Sequence, residues 1–482
     1  MLAAALLRAL PLTANRFHPD EALYAAFGRL IASGRDPLLA QTIVDKPPLP
    51  FYLLAGSFGL LGGSEFAARL PTFFASLISV ALAYALARRL YGARPASLAA
   101  GLLALSPFAI LFSVTLFIDP VLTAFGLWGL WSAAADRPRQ AGLAFALALA
   151  CKQTALFLVP LALALALVTL PASADPRAAL RRIARHLGPL AGALLLAALV
   201  IFGWDALRLQ FGAPISFWAQ GYSDNVPDRL VRAGEVPLRA WAWLDLLGYV
   251  TASAPLNAAG LVGLPLLLLT AGRRPNRAAL ADLVLAGYGL AYLAVYWLLA
   301  FNVWDRYLVP LLPLLALLLA RALFSLADSL AAWARWPAAA LSRIVLALSL
   351  AALLPSSATA ARSGYPIGGD HGAYTGLDET ARYLNALPYG TVLYDFWLSW
   401  QWNYYLFDAK VYVAWMPNPE ALARDLQVHG RTSPRYLVVP AWESRSEAEA
   451  AAAGVGFRFV PVHTAYRADG SPGFVTYQLV AP

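Results

Sequence analysis

Two polar stretches interrupt the start of an otherwise apolar chain. The first is Phe17-His18-Pro19-Asp20-Glu21-Ala22-Leu23-Tyr24, with adjacent carboxylates behind a proline. Proline followed by acids is a helix N-terminal signature, so one reading is a cap complementing the helix dipole. The other is a carboxylate at a membrane surface acting as a base. Neighbouring residues on a helix point about 100° apart, so Asp20 and Glu21 cannot both face one reacting atom. The second stretch is Asp45-Lys46-Pro47-Pro48-Leu49-Pro50. Its prolines stiffen an extended approach to the membrane. Lys46 is a point cation beside an apolar run, suited to a phosphate at headgroup depth or to snorkelling at the interface.

Three more charges stand out further along. Asp119, in Leu116-Phe117-Ile118-Asp119-Pro120, lies between two long apolar runs, where an ionisable group is costly. It also reads as the cap of the next helix. Lys152 is the only charge between 140 and 170. A buried Lys loses its proton or finds a partner, and Asp119 or a phosphate would serve. Arg306, in Asn302-Val303-Trp304-Asp305-Arg306-Tyr307, could hold a phosphate bidentately or pair with Asp305 at the interface. No HExxH, CxxC, P-loop or GxGxxG pattern is present, and Cys151 stands alone.

Composition sets what must position these residues. Of 482 residues, 60% are hydrophobic and 13% charged, against about 45–50% and about 25% in soluble proteins. Most of the chain must therefore face lipid. The net charge of +9 reads as arginine in cytoplasmic loops of a membrane protein, not as a nucleic-acid surface. Apolar runs near the roughly 20 residues of a bilayer-crossing helix fall at 67–87, 95–117, 119–135, 187–204, 254–271, 279–300, 307–327 and 344–360. Cys151-Lys152-Gln153 splits 140–170 into two short helices. Arg88, Arg89, Arg94, Arg137, Arg139, Arg177, Arg181, Arg182, Arg185, Arg273, Arg274, Arg277, Arg335 and Arg343 then fall on one side, cytoplasmic by the positive-inside rule. The other side receives the first outer loop, 17–66, with Asp119, Lys152, 205–253, 301–306 and everything after 361. About 15 residues, broken by Arg8, precede the first loop. At roughly 1.5 Å per residue they are a marginal crossing, which suggests that the chain's start is placed too late. A cleaved signal peptide is the other reading, without an obvious cleavage site before Arg16.

Two domains are expected: 1–360 in the membrane and 361–482 outside it, the latter a small α/β domain. In the second, Thr375 caps a helix through Asp378, 391–396, 410–415 and 435–440 are strands, Asn418-Pro419 starts a helix, and 457–466 with 473–480 form a hairpin. The aromatic stretch 394–415 serves either as core and interface or as a sugar-stacking surface.

In order and spacing, HPDEALYA (18–25), DKPPLPFYL (45–53), SEFAARLP (64–71), FIDP (117–120), CKQTAL (151–156) and DRYLVPLLP (305–313) resemble the membrane GT-C glycosyltransferases. The likeness is to glycosyltransferase family 39, which includes protein O-mannosyltransferases and bacterial aminoarabinose transferases. It covers about residues 15–360. It implies a polytopic α-helical fold with about 11 transmembrane or re-entrant helices and an extracytoplasmic C-terminal α/β domain. It implies a plasma-membrane enzyme that takes a hexose or pentose from a polyprenyl-phosphate donor. The sugar would pass to a hydroxyl on a glycan, lipid or protein acceptor, with inversion. By position, Asp20 matches the first-loop catalytic carboxylate and Asp119 a second acid needed for activity. Lys46 matches a lysine on the lipid phosphate. Arg306 and Lys152 are placed to help hold that phosphate, and Glu21, Tyr24 and Asp45 complete the candidate substrate-binding set. A divalent cation is left open, with Asp45 standing where the aminoarabinose transferases carry Glu. A transporter or lipid-linked-sugar flippase is the competing class. It calls for repeated halves, which the sequence lacks.

Overall fold

The structure is a computed structural model describing residues 1–170, 176–273 and 276–481. It forms two compact units. One holds Met1–Leu12 and Leu30–Gly368; the other holds Thr13–Arg29 and the residues from Gly369 on. The division thus falls near 368, and the whole Asp20 motif groups with the C-terminal residues, not with the helical unit.

Among the described residues, the first unit has six helices long and apolar enough to cross a membrane: Glu65–Tyr91, Pro176–Gln210, Ala254–Arg273, Arg277–Leu298, Asp305–Ala334 and Ala338–Ala360. Shorter apolar helices at Leu2–Thr13, Leu49–Leu61, Ala93–Leu105 and Gln153–Val168 supplement them. The run at 95–117 is not one span. It breaks into Ala93–Leu105 and Pro107–Phe112, with Ser106 extended between them. Proline drives its predecessor out of the α region and brings no N–H of its own, so carbonyls in the preceding turn lose donors. Arg8 supplies them. Fully buried, its guanidinium donates to the carbonyls of Leu103 (3.2 Å) and Ala104 (2.8 Å) and to Ser76 Oγ (2.9 Å). The charge that interrupts the first apolar stretch is thus a donor for a helix break elsewhere.

The split at 140–170 is present as Pro138–Cys151, a 3-10 turn Gln153–Phe157 and Leu158–Val168, with Lys152 in extended backbone. The span expected at 187–204 is longer. Pro176–Gln210 carries Arg177, Arg181, Arg182 and Arg185 on its first turns, so these are helical and not in a loop. They meet other cations: Asp136 pairs with Arg182 and with Arg185 (3.1 Å), Arg89 Nε donates to Ala134 O (3.0 Å), and Arg277 lies within electrostatic reach of Arg89 and Arg182. Arg274 lies outside the described residues. This cationic cluster surrounds the C-terminal end of the helix Asp119–Ala134, which Asp119 begins.

In the second unit a five-stranded sheet runs β2-β1-β3-β5-β4, from strands β1 (Val392–Asp395), β2 (Tyr412–Trp415), β3 (Arg435–Pro440), β4 (Arg458–Tyr466) and β5 (Pro472–Val480). β1 is parallel to β2 and β3, whereas β5 is antiparallel to β3 and β4. The central strand β3 is buried along its whole length, as a strand covered on both faces must be. Asn418 Oδ1 accepts the Ala421 N–H (2.9 Å) and caps Pro419–His429. The expected Thr375 cap is absent: Leu377–Asn385 begins at Gly376, whose φ of 93° favours glycine, and no side chain caps it. Part of the aromatic stretch is structural, whereas Trp400, Tyr412 and Trp415 are exposed. Tyr394, Trp402 and Tyr404 are buried. The Phe17 ring meets Tyr404 at 4.8 Å, and Arg29 pairs with Asp408 (2.6 Å) and lies over Phe407. These contacts fasten 13–29 to this unit.

Removing the Arg8 donor should orphan the carbonyls at the 105–107 break, each costing about 1–3 kcal/mol. We expect Arg8→Met to lower unfolding stability by about 2–4 kcal/mol, read as an earlier thermal midpoint of the purified protein in detergent.

A candidate anion site in the helical unit

Asp119 sits in the first turn of Asp119–Ala134 and is 3% exposed. Burial of a carboxylate demands a partner, and Lys152 provides it, with Nζ 2.7 Å from Oδ1. Lys152 reaches this position because the chain is extended there, between the two short helices. Burial pushes the Lys152 ammonium below its ordinary range. Asp119 opposes that shift, and the nearby cations Arg306 and Lys46 reinforce it. Lys46, also buried, precedes the proline-started helix Leu49–Leu61 and pairs with Asp45.

Arg306 is the second residue of the 3-10 segment Asp305–Leu311. Asp305 is not simply its ion-pair partner. Oδ1 of Asp305 accepts the Arg306 backbone N–H (2.7 Å) and Oδ2 accepts the Gly368 N–H (2.7 Å). The guanidinium lies over aromatic rings, 5.2 Å from Phe117 and 6.0 Å from Tyr307. Lys152 Nζ lies 5.2 Å from the same Tyr307 ring. Sequence positions 46, 119, 152 and 306 are therefore neighbours.

A cavity of about 280 Å³ opens against this cluster, lined by Asp45, Lys46, Lys152, Trp218, Asn225 and Tyr307 among others. Leu156, Phe157 and Trp218, which also line it, are each more than 40% exposed. Cations on one side and the exposed apolar groups Leu156, Phe157 and Trp218 on another suit an anion carried on an apolar tail. Trp218, Gly221, Tyr222 and Asn225 come from the helix Phe217–Asn225 in the segment 205–253, where no motif marked them. Their i, i+3, i+4, i+7 spacing was the available signal.

Asp20, Glu21 and Tyr24 belong to the second unit. Asp20 is in the first turn of Pro19–Ala32, its N–H toward His18 Nδ1 (3.3 Å). Glu21 is buried and Oε2 accepts the His18 N–H (2.9 Å), which is the capping role. Tyr24 is buried. Among the described residues no group of three His, Cys, Asp or Glu side chains could hold a metal ion. Asp45 and Asp119 are each paired with a lysine.

The chain has the GT-C glycosyltransferase fold, with six helices among the described residues long and apolar enough to cross a membrane. Residues 45–204 match the family described as dolichyl-phosphate-mannose-protein mannosyltransferase, which supports the family-39 resemblance. The apo crystal structure of ArnT from Cupriavidus metallidurans is similar over 100% of this chain and 97% of that chain, with TM-score 0.69 and 17% identity. The same protein bound to undecaprenyl phosphate gives TM-score 0.63 and 18% identity over 100% and 98%. The Archaeoglobus fulgidus oligosaccharyltransferase, in complex with zinc and sulfate, gives 0.52 and 14% over 98% and 72%. No curated protein sequence matches the chain.

Lys152→Met should strand a buried carboxylate and cost about 3–5 kcal/mol, whereas adding Asp119→Asn should recover much of the loss. Denaturant unfolding of the two single variants and the double variant measures this; additive losses would mean that the pair is not coupled.

Proposed function

We propose that the protein transfers a sugar from a polyprenyl-phosphate donor to an acceptor hydroxyl. The observation that carries this is the juxtaposition of Lys46, Lys152 and Arg306 beside a cavity with exposed apolar walls. A lipid-linked phosphate needs both features, and a nucleotide donor needs a cradle that the sequence lacks. The binding of undecaprenyl phosphate by the ArnT of similar fold supports the same class of ligand.

In the proposed step the acceptor oxygen attacks the anomeric carbon while the bond from that carbon to the phosphate oxygen breaks. The electron pair leaves with the polyprenyl phosphate. Lys46, Lys152 and Arg306 stabilise the charge that grows on the leaving phosphate. The resemblance gives Asp20 the role of base, taking the acceptor's proton. One displacement inverts the anomeric centre.

The reaction is assigned to the outer face of the plasma membrane, with the C-terminal unit there too. The supporting feature is charge: the arginine cluster gathers at the Ala134 end of the helix whose other end carries Asp119 and Lys152. Basic clusters favour the cytoplasmic side.

The test is transfer of labelled sugar from a polyprenyl phosphate by the full chain in vesicles. Asp20→Asn should lower transfer by about 10²–10⁴-fold, and Lys46→Ala by about 10²-fold, with membrane insertion unchanged. Undiminished transfer by Asp20→Asn would sink its assigned role. Movement of the labelled donor across the vesicle without a new glycosidic bond would instead favour a flippase.

A further inference from the structure

Lys46 and Asp45 form one wall of the cavity, and the helix Phe217–Asn225 forms another. Nothing in the proposed chemistry uses the residues that set the spacing between these walls, yet they are among the most completely buried polar groups in the unit. Arg208 is fully buried and Asp205 is 4% exposed. Arg208 Nε donates to Leu39 O (3.0 Å), Nη2 to Thr42 O (3.0 Å) and Nη1 to Asp205 Oδ1 (2.7 Å). The same Asp205 oxygen accepts the backbone N–H of Phe217 (3.1 Å), the first residue of the helix. One ion pair therefore ties the chain leading into Asp45 to the start of the opposing helix. Leu39, whose carbonyl it holds, has a φ of 56°, a conformation that survives only where the surroundings fix it.

Further along the helix the clearance is nil. A Cβ at Gly221 would lie 2.5 Å from the Asp45 carbonyl oxygen, which is backbone and cannot step aside. One turn on, Asn225 Nδ2 donates to Gly221 O (3.0 Å) and approaches Asp45 Oδ2 at 3.4 Å. Lys46 Nζ pairs with that same Oδ2. Asn225 and Lys46 thus share one carboxylate oxygen.

We propose that Gly221 and Asn225, held in place by the Asp205–Arg208 pair, are positioning residues that ready Lys46 for an incoming phosphate. This rests on the phosphate-binding reading above. When the phosphate draws Lys46 away, Asn225 continues to donate to the Asp45 oxygen, so the carboxylate is not left bare. Gly221 keeps the helix close enough for that hand-over. A helix displaced by even one methyl group loses the Asn225 contact, and Lys46 stays with Asp45.

Equilibrium binding of a polyprenyl phosphate to the full chain in detergent tests this. Gly221→Ala and Asn225→Ala should each raise Kd about tenfold, equivalent to about 1.4 kcal/mol; Gly221→Ala should also lower the thermal midpoint, because its Cβ meets backbone, whereas Asn225→Ala should leave the midpoint nearly unchanged. In the transfer assay both should raise the donor KM with little change in kcat, a split that general loss of fold would not produce. Arg208→Lys keeps the charge but not the planar fork across both carbonyls, and should show the same KM effect in its folded fraction. If Lys46→Ala weakens binding while Gly221→Ala and Asn225→Ala bind as the unaltered protein does, the positioning role is wrong and the phosphate site stands. If the unaltered protein binds no polyprenyl phosphate, both fall together.

Discussion

An ammonium group and a carboxylate taken out of water must find each other, and the site in the helical unit is organised around that requirement. Lys152 and Asp119 are 33 positions apart in the chain and are both nearly sealed from solvent. Desolvation of either alone costs several kcal/mol. The chain therefore has to abandon helical geometry at Lys152 so that the side chain can turn back to the start of Asp119–Ala134. Once that contact is made, Tyr307 and Arg306 have a fixed surface to pack on, and the cavity acquires its cationic side.

Pairing also keeps such a site stable without ligand. Lys46 is covered by Asp45, Lys152 by Asp119, and the Arg306 guanidinium is spread over aromatic faces. Each cation keeps a partner that it can share with an arriving anion. Aromatic faces suit arginine here because its guanidinium is more weakly hydrated than an ammonium and stacks as a plane.

Much of this was legible in the sequence. Lysine is so rare in this chain that Lys46 and Lys152 stood out, and Asp119 stood out for interrupting apolar runs. The strand hairpin at the C-terminus and the Asn418 cap followed from turn and cap chemistry that acts within a few residues. What escaped depends on contacts between distant residues. The break at Ser106 is satisfied by Arg8, and no local pattern announces a donor nearly a hundred residues away. The grouping of 13–29 with the C-terminal unit rests on Phe17 and Arg29 meeting Tyr404, Tyr405 and Asp408. Glu21 read more readily as a cap than as a catalytic group, and the position of the His18 N–H shows the capping contact.

The Arg8 arrangement bears on the order in which the protein is made. Arg8 leaves the ribosome 95 residues before Leu103. The donor is thus synthesised before Pro107, whose helix break frees the carbonyls that it meets in the folded protein. Reversing that order would leave a broken helix in lipid with nothing to bind, so a sequence that places its solution early can tolerate a proline where a continuous span would otherwise be required.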